Sequence, residues 1–516
     1  MFKVNELLKA TQGKLINSLQ DIVIKDISID SRTIKKGEAF IAIKGNNFDG
    51  HDFIDEAIRK GASCIITEAQ DKEYTTGNTL HAARKIALIE VKDTQKALGD
   101  IATFKRKKFD IPIIAITGSN GKTTVKEMIA WILSKRFKVL KNEGTKNNHI
   151  GLPLTLLNLN SGYEIAVLEI GTNHFGEVSY LSRICQPNIG IITNIGPAHL
   201  EYFKDLKGVF KEKYSLITNL KKPYIAILNA DDGLLKGVIK KIKTPAILGF
   251  STKNQSDFFG TDIKNHNGKI EFLVKAVRNI TYFGSRKKIS NGTNLKNKFT
   301  PTPLEKATAV KPWMNRDVLL AKPETNKATP VKVWRFTLKT LGYYNIYNAL
   351  AAIALARIFG MEYKDIASRL SSFEFPQSRL KFIKSNHIKF IDDTYNSNPT
   401  SLKQALDALH NLKTKGRKIL VMGDMLELGS RKKTFHYQAG RYAARVCDTI
   451  ITVGELSKLA AAAARFYGFD VKNIFTCKSC NEARGILFNK IYPKEDDIVL
   501  VKGSRLMKME EIFNSR

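Results

Sequence analysis

The sequence predicts an α/β protein of three domains. Its 516 residues are too many for one hydrophobic core, and at roughly 150 residues per domain they indicate about three. Short apolar strands alternate with helical stretches along most of the chain, which favours parallel sheets covered by helices on both faces. A composition of 43% hydrophobic and 26% charged residues is typical of a folded chain and excludes a disordered or fibrous one.

Shifts in this pattern predict the domain boundaries. Residues 1–92 form a small α/β unit, in which short strands alternate with one helical stretch. Repeated strand, glycine-turn and helix units predict a central domain over residues 93–343, built on a parallel sheet. An Ala-rich helix then opens a third block over residues 344–516, whose alternating strands and helices predict a Rossmann-like domain.

One stretch, from Phe283 to Pro330, does not follow this alternation. Periodicity disappears there, five of the 14 prolines collect, and ten Lys and Arg accompany three Asp and Glu. Such a composition is typical of a disordered or loosely ordered insertion. We expect the insertion to be dispensable for the chemistry of the protein.

The net charge of +34 is unusual and suggests a polyanionic partner. The basic residues are nevertheless spread along the whole chain, and no nucleic-acid-binding motif accompanies them. We therefore expect no nucleic-acid partner, although a basic ATPase that binds nucleic acid stays an alternative from another class.

Hydropathy and cysteine content indicate the compartment. The chain has no run of 18 apolar residues and no apolar signal core, so we expect neither membrane insertion nor secretion. Five cysteines are an odd number, which fits a reducing compartment and a cytoplasmic protein. Cys477 and Cys480 form a CxxC without a second pair, and we interpret it as a surface turn rather than a metal site.

The strongest motif is the segment TGSNGKTT at residues 117–124, which lies between an apolar strand and a predicted helix. Glycines allow backbone N–H groups to approach phosphate oxygens, Lys122 offsets phosphate charge, and Thr123 can ligate Mg²⁺. The general phosphate-loop pattern GxxxxGK[ST] has its first glycine where this chain has Ile116. Only the end of that pattern, Gly121-Lys122-Thr123, is therefore present. The segment predicts ATP binding by Gly118, Ser119, Asn120, Gly121, Lys122, Thr123 and Thr124.

Polar residues also end three later apolar strands, at the edge where parallel sheets bind ligands. They are Glu169, Asn194, His199, Asn229, Asp231 and Asp232. Downstream of a phosphate loop, we interpret them as candidate metal and nucleotide ligands. An ordinary turn is the alternative for the last three, and a lone histidine is more often an ordinary residue of a strand end.

Together these features resemble the Mur ligases, ATP-dependent enzymes that form the amide bonds of bacterial cell-wall precursors. The resemblance rests on TGSNGKTT, the glutamate after an apolar strand, TNIGPAHLE and the lysine-containing helix GVFKEKYSLI. Six further segments are similar to the members that add D-alanyl-D-alanine to UDP-N-acetylmuramoyl-tripeptide: NEGTKNNHIGLPLTLL, LEIGTNHFGEV, YNIYNALAA, DDTYNSNP, VMGDMLELG and VLVKGSR. The DNPR motif of many diaminopimelate-adding members is absent. A folylpolyglutamate-synthetase-like ligase is the alternative, but it would lack the first-domain pattern DSR, IKG and DGH.

The resemblance implies a set of catalytic and metal-binding residues. ATP would activate the carboxylate of the tripeptide as an acyl phosphate, which the amine of the dipeptide then attacks. The implied catalytic residues are Lys122, Lys213, His199 and Arg379. The implied ligands of two Mg²⁺ ions are Thr123, Glu169, His199 and Lys213, the last as a carbamate formed from CO₂. Without the resemblance, Lys213 would be a solvated helix lysine and Arg379 could pair with a surface carboxylate.

The resemblance also implies the sites of the substrates. ATP would further contact Asn194, Asn229, Asn345, Asn348 and Arg379. The UDP-sugar would bind Ser31, Arg32, Lys44, Gly45, Asp49, Gly50 and His51. The nucleotide and dipeptide side of the cleft would include Asp393, Tyr395 and Asn396. Alternatively, Ser31 and Arg32 form a simple turn, and the DGH segment is a helix start with Asp52 as N-cap. We expect a monomer.

Overall fold

The protein is described from a computed structural model, which covers residues 1–17, 22–45, 47–68, 86–222, 224–242, 246–266, 268–276, 333–385 and 387–513. These residues form two compact units. The first comprises Met1–Ile113, Lys138–Thr172 and Glu177–Pro187, and the second comprises Ile114–Phe137, Asn173–Gly176 and Asn188–Arg516. The insertion predicted from Phe283 to Pro330 lies outside the described residues, and the boundaries after residues 92 and 343 stay predictions. No described helix is both long and apolar enough to cross a membrane.

The first unit begins with a five-stranded sheet. Its strands, in spatial order, are β2 (Lys14–Leu15), β7 (Ala87–Val91), β6 (Cys64–Glu68), β5 (Ala39–Ile41) and β4 (Ile27–Ser28). Strand β2 is antiparallel to β7, and the other neighbours are parallel. Strands β1 (Phe2–Lys3) and β3 (Val23–Ile24) form a separate antiparallel pair. Helices α1 (Val4–Thr11) and α2 (Ile54–Arg59) belong to this part, and Ile54, Ala57 and Ile58 of α2 contribute to its apolar core.

The remainder of the first unit consists of three helices and a parallel strand pair. The helices are α3 (Thr94–Lys107), α5 (Gly151–Leu157) and α6 (Glu177–Cys185), and α3 packs against both of the others. Strands β9 (Val139–Lys141) and β10 (Ile165–Glu169) pair in parallel. Every residue of β10 is buried, which explains why its sequence is apolar up to the final glutamate.

In the second unit, seven strands form a sheet in the spatial order β8, β11, β12, β13, β14, β15 and β16. They are β8 (Ile113–Thr117), β11 (Ile189–Ile192), β12 (Ile225–Asn229), β13 (Ile247–Ser251), β14 (Phe258–His266), β15 (Lys269–Ala276) and β16 (Val333–Leu338). The strands from β8 to β14 are parallel, whereas β15 and β16 are antiparallel to their neighbours. Its helices are α4 (Lys122–Leu133), α7 (Leu200–Phe203), α8 (Leu206–Thr218), α9 (Gly233–Lys241), α10 (Asn345–Ile358) and α11 (Tyr363–Ser371). The Ala-rich helix α10 is almost entirely buried against α4, β12 and β13, because its small side chains allow close packing.

The second unit also contains a six-stranded sheet, in the spatial order β17, β18, β22, β19, β20 and β21. The strands are β17 (Lys381–Ser385), β18 (Ile388–Asp393), β19 (Lys418–Gly423), β20 (Thr449–Val453), β21 (Ile474–Cys477) and β22 (Ile498–Lys502). All neighbours are parallel except β17 and β18. Helices α12 (Pro399–Asn411), α13 (Lys432–Ala443), α14 (Lys458–Phe466) and α15 (Cys480–Ile486) complete this part. The predicted α/β class with parallel sheets is confirmed.

The interpretation of the CxxC as a surface turn is wrong. Cys477 ends β21 and Cys480 begins α15, and both side chains are buried. Burial raises the pKa of each thiol to about 11, so both stay protonated at neutral pH. Ser479, between them, caps α15 by accepting a hydrogen bond from the backbone N–H of Glu482. The pattern therefore marks a tight strand-to-helix connection in the core.

Candidate active site

The predicted phosphate loop lies between β8 and α4. Gly118 and Gly121 have φ angles of +146° and +86°, a region that favours glycine. A Cβ atom at Gly118 would collide with Oγ1 of Thr193, and one at Gly121 would collide with Oδ1 of Asn348. The loop therefore needs glycine at both positions, and it ends at the N-terminus of α4, where phosphate is favoured.

Four of the predicted site residues meet at this loop: Lys122, Thr123, Arg379 and Tyr395. Nη2 of Arg379 donates to Oγ1 of Thr123 over 3.0 Å, and the guanidinium carbon lies 4.0 Å from the ring centre of Tyr395. Nζ of Lys122 donates to the carbonyl oxygen of Gly118 over 2.9 Å. The structure thus places the charged side chains of Lys122 and Arg379 and the hydroxyl of Thr123 at the loop. Phosphate oxygens could replace the oxygens that now accept hydrogen bonds from the two cations.

The side chain of Asn194 is hydrogen-bonded to the backbone of the phosphate loop. Its Oδ1 accepts from the backbone N–H of Asn120 and its Nδ2 donates to the carbonyl of the same residue, each over 3.0 Å. Oγ of Ser119 accepts from the backbone N–H of Gly196 over 2.8 Å. Asn229, also expected at ATP, donates from Nδ2 to the carbonyl of Thr193 over 3.0 Å. Asn194 and Asn229 were both predicted to contact ATP. In the structure, their side chains are hydrogen-bonded to backbone groups of Asn120 and Thr193.

The other two predicted asparagines are buried in the first turn of α10. Nδ2 of Asn348 donates to Oδ1 of Asn345 over 2.8 Å, and Nδ2 of Asn345 donates to Thr340 over 2.7 Å. Asn348 is brought to the phosphate loop, since its amide group is what a side chain at Gly121 would meet. Asn345 orients Asn348 from one turn away.

Asp231 and Asp232, in the turn after β12, make the contacts expected of an ordinary turn. Asp232 caps α9 by accepting from the backbone N–H groups of Leu234 and Leu235, and its Oδ2 accepts from Ile195 over 2.7 Å. Asp231 accepts from Oγ of Ser251 over 2.6 Å. Both carboxylates therefore order local backbone and neighbouring strands.

Lys213 lies on α8 and is only 1% exposed, so the interpretation as a solvated helix lysine is wrong. Burial and the nearby charge of Lys122 lower the pKa of this amine to about 7, although Glu212 acts in the opposite direction. Glu212 is itself buried and accepts from the backbone N–H of Gly176 over 2.7 Å. At neutral pH, Lys213 therefore has a large neutral fraction, which surface lysines lack.

His199 makes a hydrogen-bond contact with Glu427 that the sequence did not predict. Its Nδ1 lies 2.6 Å from Oε2 of Glu427, a residue of the loop after β19. The hydrogen bond from His199 lowers the pKa of Glu427. Both residues have left-handed backbones, with φ of +54° and +60°. The signal in the sequence was the segment VMGDMLELG, which contains Glu427 but does not indicate its partner.

Among the residues that the structure describes, none donates a hydrogen bond to one carboxylate oxygen of Glu169, which ends β10 in the first unit. Its Oε1 accepts from Nδ2 of Asn147 over 2.7 Å, whereas Oε2 is buried and has no hydrogen-bond partner within the described residues. Such an oxygen suits a cation. The described residues contain no cluster of three or more His, Cys, Asp or Glu side chains arranged to hold a metal ion.

The predicted UDP-sugar residues lie in the first unit and contact one another. Oγ of Ser31 donates to Glu56 over 2.6 Å, and the exposed Arg32 pairs with Asp30 over 2.8 Å. The guanidinium hydrogen bond lowers the pKa of Asp30 to about 2.

The second group of these residues is a short turn and helix start. Lys44 pairs with Asp49 over 3.3 Å, and Nδ1 of His51 lies 2.6 Å from Asp49. Asp49, not Asp52, caps the short helix Gly50–Phe53 by accepting from the backbone of His51. Gly45 donates its N–H to Phe48, and the backbone of Gly50 passes so close to Ile43 that a Cβ atom would lie 2.5 Å from its nitrogen.

Asp393, expected on the dipeptide side, is paired internally. Nζ of Lys502 donates to its Oδ2 over 2.6 Å and also to the carbonyl of Asn396 over 2.9 Å. Nδ2 of Asn398 donates to Oδ1 of Asn120 over 2.8 Å, so this residue reaches the phosphate loop. Lys502 and Asn398 were not predicted as site residues, although both lie in recognised segments, VLVKGSR and DDTYNSNP.

Comparison with known proteins gives the family. The model of the Mur ligase middle domain matches residues 116–356, that of the Mur ligase glutamate ligase domain matches 378–505, and that of the Mur ligase family catalytic domain matches 23–106. The UDP-N-acetylmuramoyl-tripeptide--D-alanyl-D-alanine ligase of Bacillus subtilis is 31% identical over 515 residues, which cover 99% of this chain and 97% of that protein. The chain belongs to the Mur ligase family.

Solved structures agree with this assignment to the Mur ligases. A crystal structure of MurF from Acinetobacter baumannii is 29% identical, with a TM-score of 0.80 over 99% of this chain and 97% of that one. The MurF ligase from Thermotoga maritima in complex with ADP is 25% identical, with a TM-score of 0.74 over 95% of this chain and 97% of that one. The predicted family and three-domain α/β fold are confirmed.

Proposed function

We propose that this protein is an ATP-dependent ligase that joins D-alanyl-D-alanine to UDP-N-acetylmuramoyl-tripeptide during peptidoglycan precursor synthesis in the cytoplasm. The reaction forms ADP and phosphate through an acyl phosphate of the tripeptide. Similarity over 97% of the Bacillus subtilis ligase of that name supports the substrates. The observation that carries the chemistry is the phosphate loop, with Lys122, Thr123 and Arg379 gathered at it.

In this proposal, the phosphate loop binds ATP by backbone N–H groups and charge. Gly118 and Gly121 keep side chains away from the phosphates, and Lys122 offsets their negative charge. Arg379 reaches the same place from a distant part of the chain, so it can neutralise charge that develops on the transferred phosphoryl group. Asn194 keeps the loop in position by two hydrogen bonds to Asn120.

The residues present suit Mg²⁺. In the second unit, the hydroxyl of Thr123 is a hard oxygen ligand and His199 offers a ring nitrogen. In the first unit, Oε2 of Glu169, which has no partner among the described residues, is also a hard oxygen ligand. Bound Mg²⁺ would stabilise negative charge on the transferred phosphoryl group. A protonated Lys213 would repel the ion, whereas a carbamate of Lys213 would supply oxygen ligands. Burial of the amine favours the neutral form from which the carbamate arises.

We further propose that Ser31, Arg32, Lys44 and Gly45, with the segment Asp49–His51, form the UDP-sugar site. Arg32 and Lys44 are exposed cations there, which suits a diphosphate. We also propose that the domain boundaries lie near residues 92 and 343 and that the enzyme is a monomer.

Phosphate release from ATP tests the proposed function. We expect release to require both UDP-N-acetylmuramoyl-tripeptide and D-alanyl-D-alanine, because the acyl phosphate must form and then react with the amine. Mass spectrometry should detect the pentapeptide product. Phosphate release from ATP that requires neither substrate would contradict the proposal.

A further inference from the structure

A cluster of exposed aromatic rings lies where α13 meets the end of α14. The ring centre of Tyr467 lies 6.2 Å from that of Tyr437 and 5.3 Å from that of Phe466. The guanidinium carbon of Arg441 lies 5.0 Å from the centre of the Tyr467 ring. We call these four residues the aromatic patch. None of them has a role in the proposed ligase reaction.

The rings of the aromatic patch are open to water. Phe466 is 76% exposed, and Tyr437 and Tyr467 are 37% and 43% exposed. Tyr437 and Arg441 are one turn apart, so they lie on the same side of α13. Single exposed apolar residues are common, but neighbouring ones form a surface that gains free energy when a partner removes it from water. The patch is therefore a candidate interaction surface.

The two helices that carry the patch contain basic residues and no acidic ones. Together, α13 and α14 have five Lys or Arg and no Asp or Glu. These cations are Lys432, Lys433, Arg441, Lys458 and Arg465. The neighbouring α12 differs, because its Lys403 is paired with Asp407 over 2.8 Å. Among the described residues, Arg441 and Arg465 have no ion-pair partner. The surface around the rings is therefore positively charged and suits an anionic partner.

Charge and ring geometry favour a lipid surface as that partner. A symmetric contact with a second copy of the chain would place like charges against one another. The plane of the Tyr467 ring is inclined by 65° to Tyr437 and by 84° to Phe466, so the rings offer no parallel faces for successive bases of a nucleic acid. An anionic bilayer attracts Lys and Arg, and aromatic rings are enriched at the level of its headgroups.

We propose that the aromatic patch binds the surface of a bilayer that contains anionic phospholipids. Phe466 enters the headgroup region, while Arg441 and Arg465 contact lipid phosphates. Each cation near such a surface strengthens binding about fivefold, and salt weakens this contribution. Lipid binding accounts for part of the net charge of +34, which the ligase reaction leaves unexplained. It does not require the ligase reaction, so either can hold without the other.

Cosedimentation with vesicles of phosphatidylglycerol and phosphatidylcholine tests the rings. The double variant Phe466→Ser, Tyr467→Ser should bind these vesicles at least about tenfold more weakly than the wild-type enzyme, because two apolar rings no longer leave water. Tyr492→Ser is the control and should bind like the wild type, because Tyr492 is 65% exposed but lies between α15 and β22. The Tm of each variant should stay within about 2 °C of the wild-type value, since the replaced side chains are exposed.

A matched pair of charge variants separates the patch from the net charge. A chain with a charge of +34 adsorbs to anionic vesicles to some extent through any of its faces. Arg441→Gln with Arg465→Gln should lower the affinity about twenty-fivefold. Lys240→Gln with Lys241→Gln removes two exposed cations of α9 and should lower the affinity less than about twofold. Equal losses from the two pairs would overturn the proposal.

Tryptophan fluorescence tests whether the ring of Phe466 enters the bilayer. Brominated phosphatidylcholine in the vesicles should quench the Phe466→Trp variant more than the wild type, whereas Tyr492→Trp should show no such increase. Equal quenching of Phe466→Trp and wild type would contradict the proposal. Variants of the patch that bind vesicles normally but lose binding to single-stranded DNA would also overturn it, and would assign this surface to a nucleic acid.

Discussion

Replacement of Lys213 by alanine should nearly abolish turnover if this residue acts as a carbamate. The side chain is buried, and its environment lowers the pKa of the amine from 10.5 to about 7. At pH 7 about half of such amines are neutral, against roughly one in three thousand for a lysine with its usual pKa. Because only the neutral amine adds CO₂, burial raises the fraction of Lys213 that can react with it.

Phosphate release in the presence of all three substrates is the assay. Loss of a metal ligand should lower kcat on the order of a hundredfold or more, since even indirect contacts to a metal are worth 10–100-fold. Lys211→Ala is the matched control, because this exposed lysine lies two residues earlier on α8 and should change kcat less than about twofold. Short carboxylic acids such as formate or acetate should partly restore the Lys213→Ala variant, because they replace the lost oxygen ligands.

Two results would refute this reasoning. One is full activity of Lys213→Ala, and the other is an unmodified amine at this position in a high-resolution structure of the active enzyme. Stability provides a further check. An unmodified Lys213 binds fewer protons when folded than when unfolded between pH 7 and 10.5, so its contribution to stability should rise with pH in that window. A carbamate would remove that dependence.

Three further predictions concern other parts of the second unit. Arg379→Ala should lower kcat about a hundredfold with almost unchanged ATP affinity, and unchanged turnover would remove Arg379 from the site. Gly118→Ala should abolish ATP binding in calorimetry, because the new Cβ would collide with a neighbouring hydroxyl, whereas Gly233→Ala, which has open space around it, should bind normally. Lys502→Met should lower the free energy of unfolding in urea by about 3–5 kcal/mol, because it leaves the buried carboxylate of Asp393 unpaired. A loss below about 1 kcal/mol would show that this pair is not needed for stability.

The prediction of strands and helices was correct where complete burial requires apolar side chains. Strands β8, β10 and β12 are buried at every position, and each is an uninterrupted apolar run up to its last residue. The CxxC was misread because its two cysteines lie in the core, at the junction of a strand and a helix. Its spacing alone does not distinguish a buried connection from an exposed turn.

The phosphate loop was also determined locally. Two glycines between a strand and a helix, with the lysine and threonine that begin this helix, fix the backbone and the charge of the loop, since these groups lie within a few residues. Lys213 differs, because only the folded protein buries it and brings Lys122 near enough to affect its pKa. The residues before it, Lys211 and Glu212, are charged, although Val209, Leu216 and Ile217 put Lys213 on the apolar face of α8.

Contacts between distant segments depended on the tertiary structure. Asn398 reaches Asn120 across 278 residues of sequence, and Glu427 reaches His199 across 228. Local periodicity indicates which face of a strand or helix is buried, but it carries no information about which strand ends meet. Side-chain hydrogen bonds extend only about 3 Å, so their partners are decided by how the elements of the two mixed sheets of the second unit pack together.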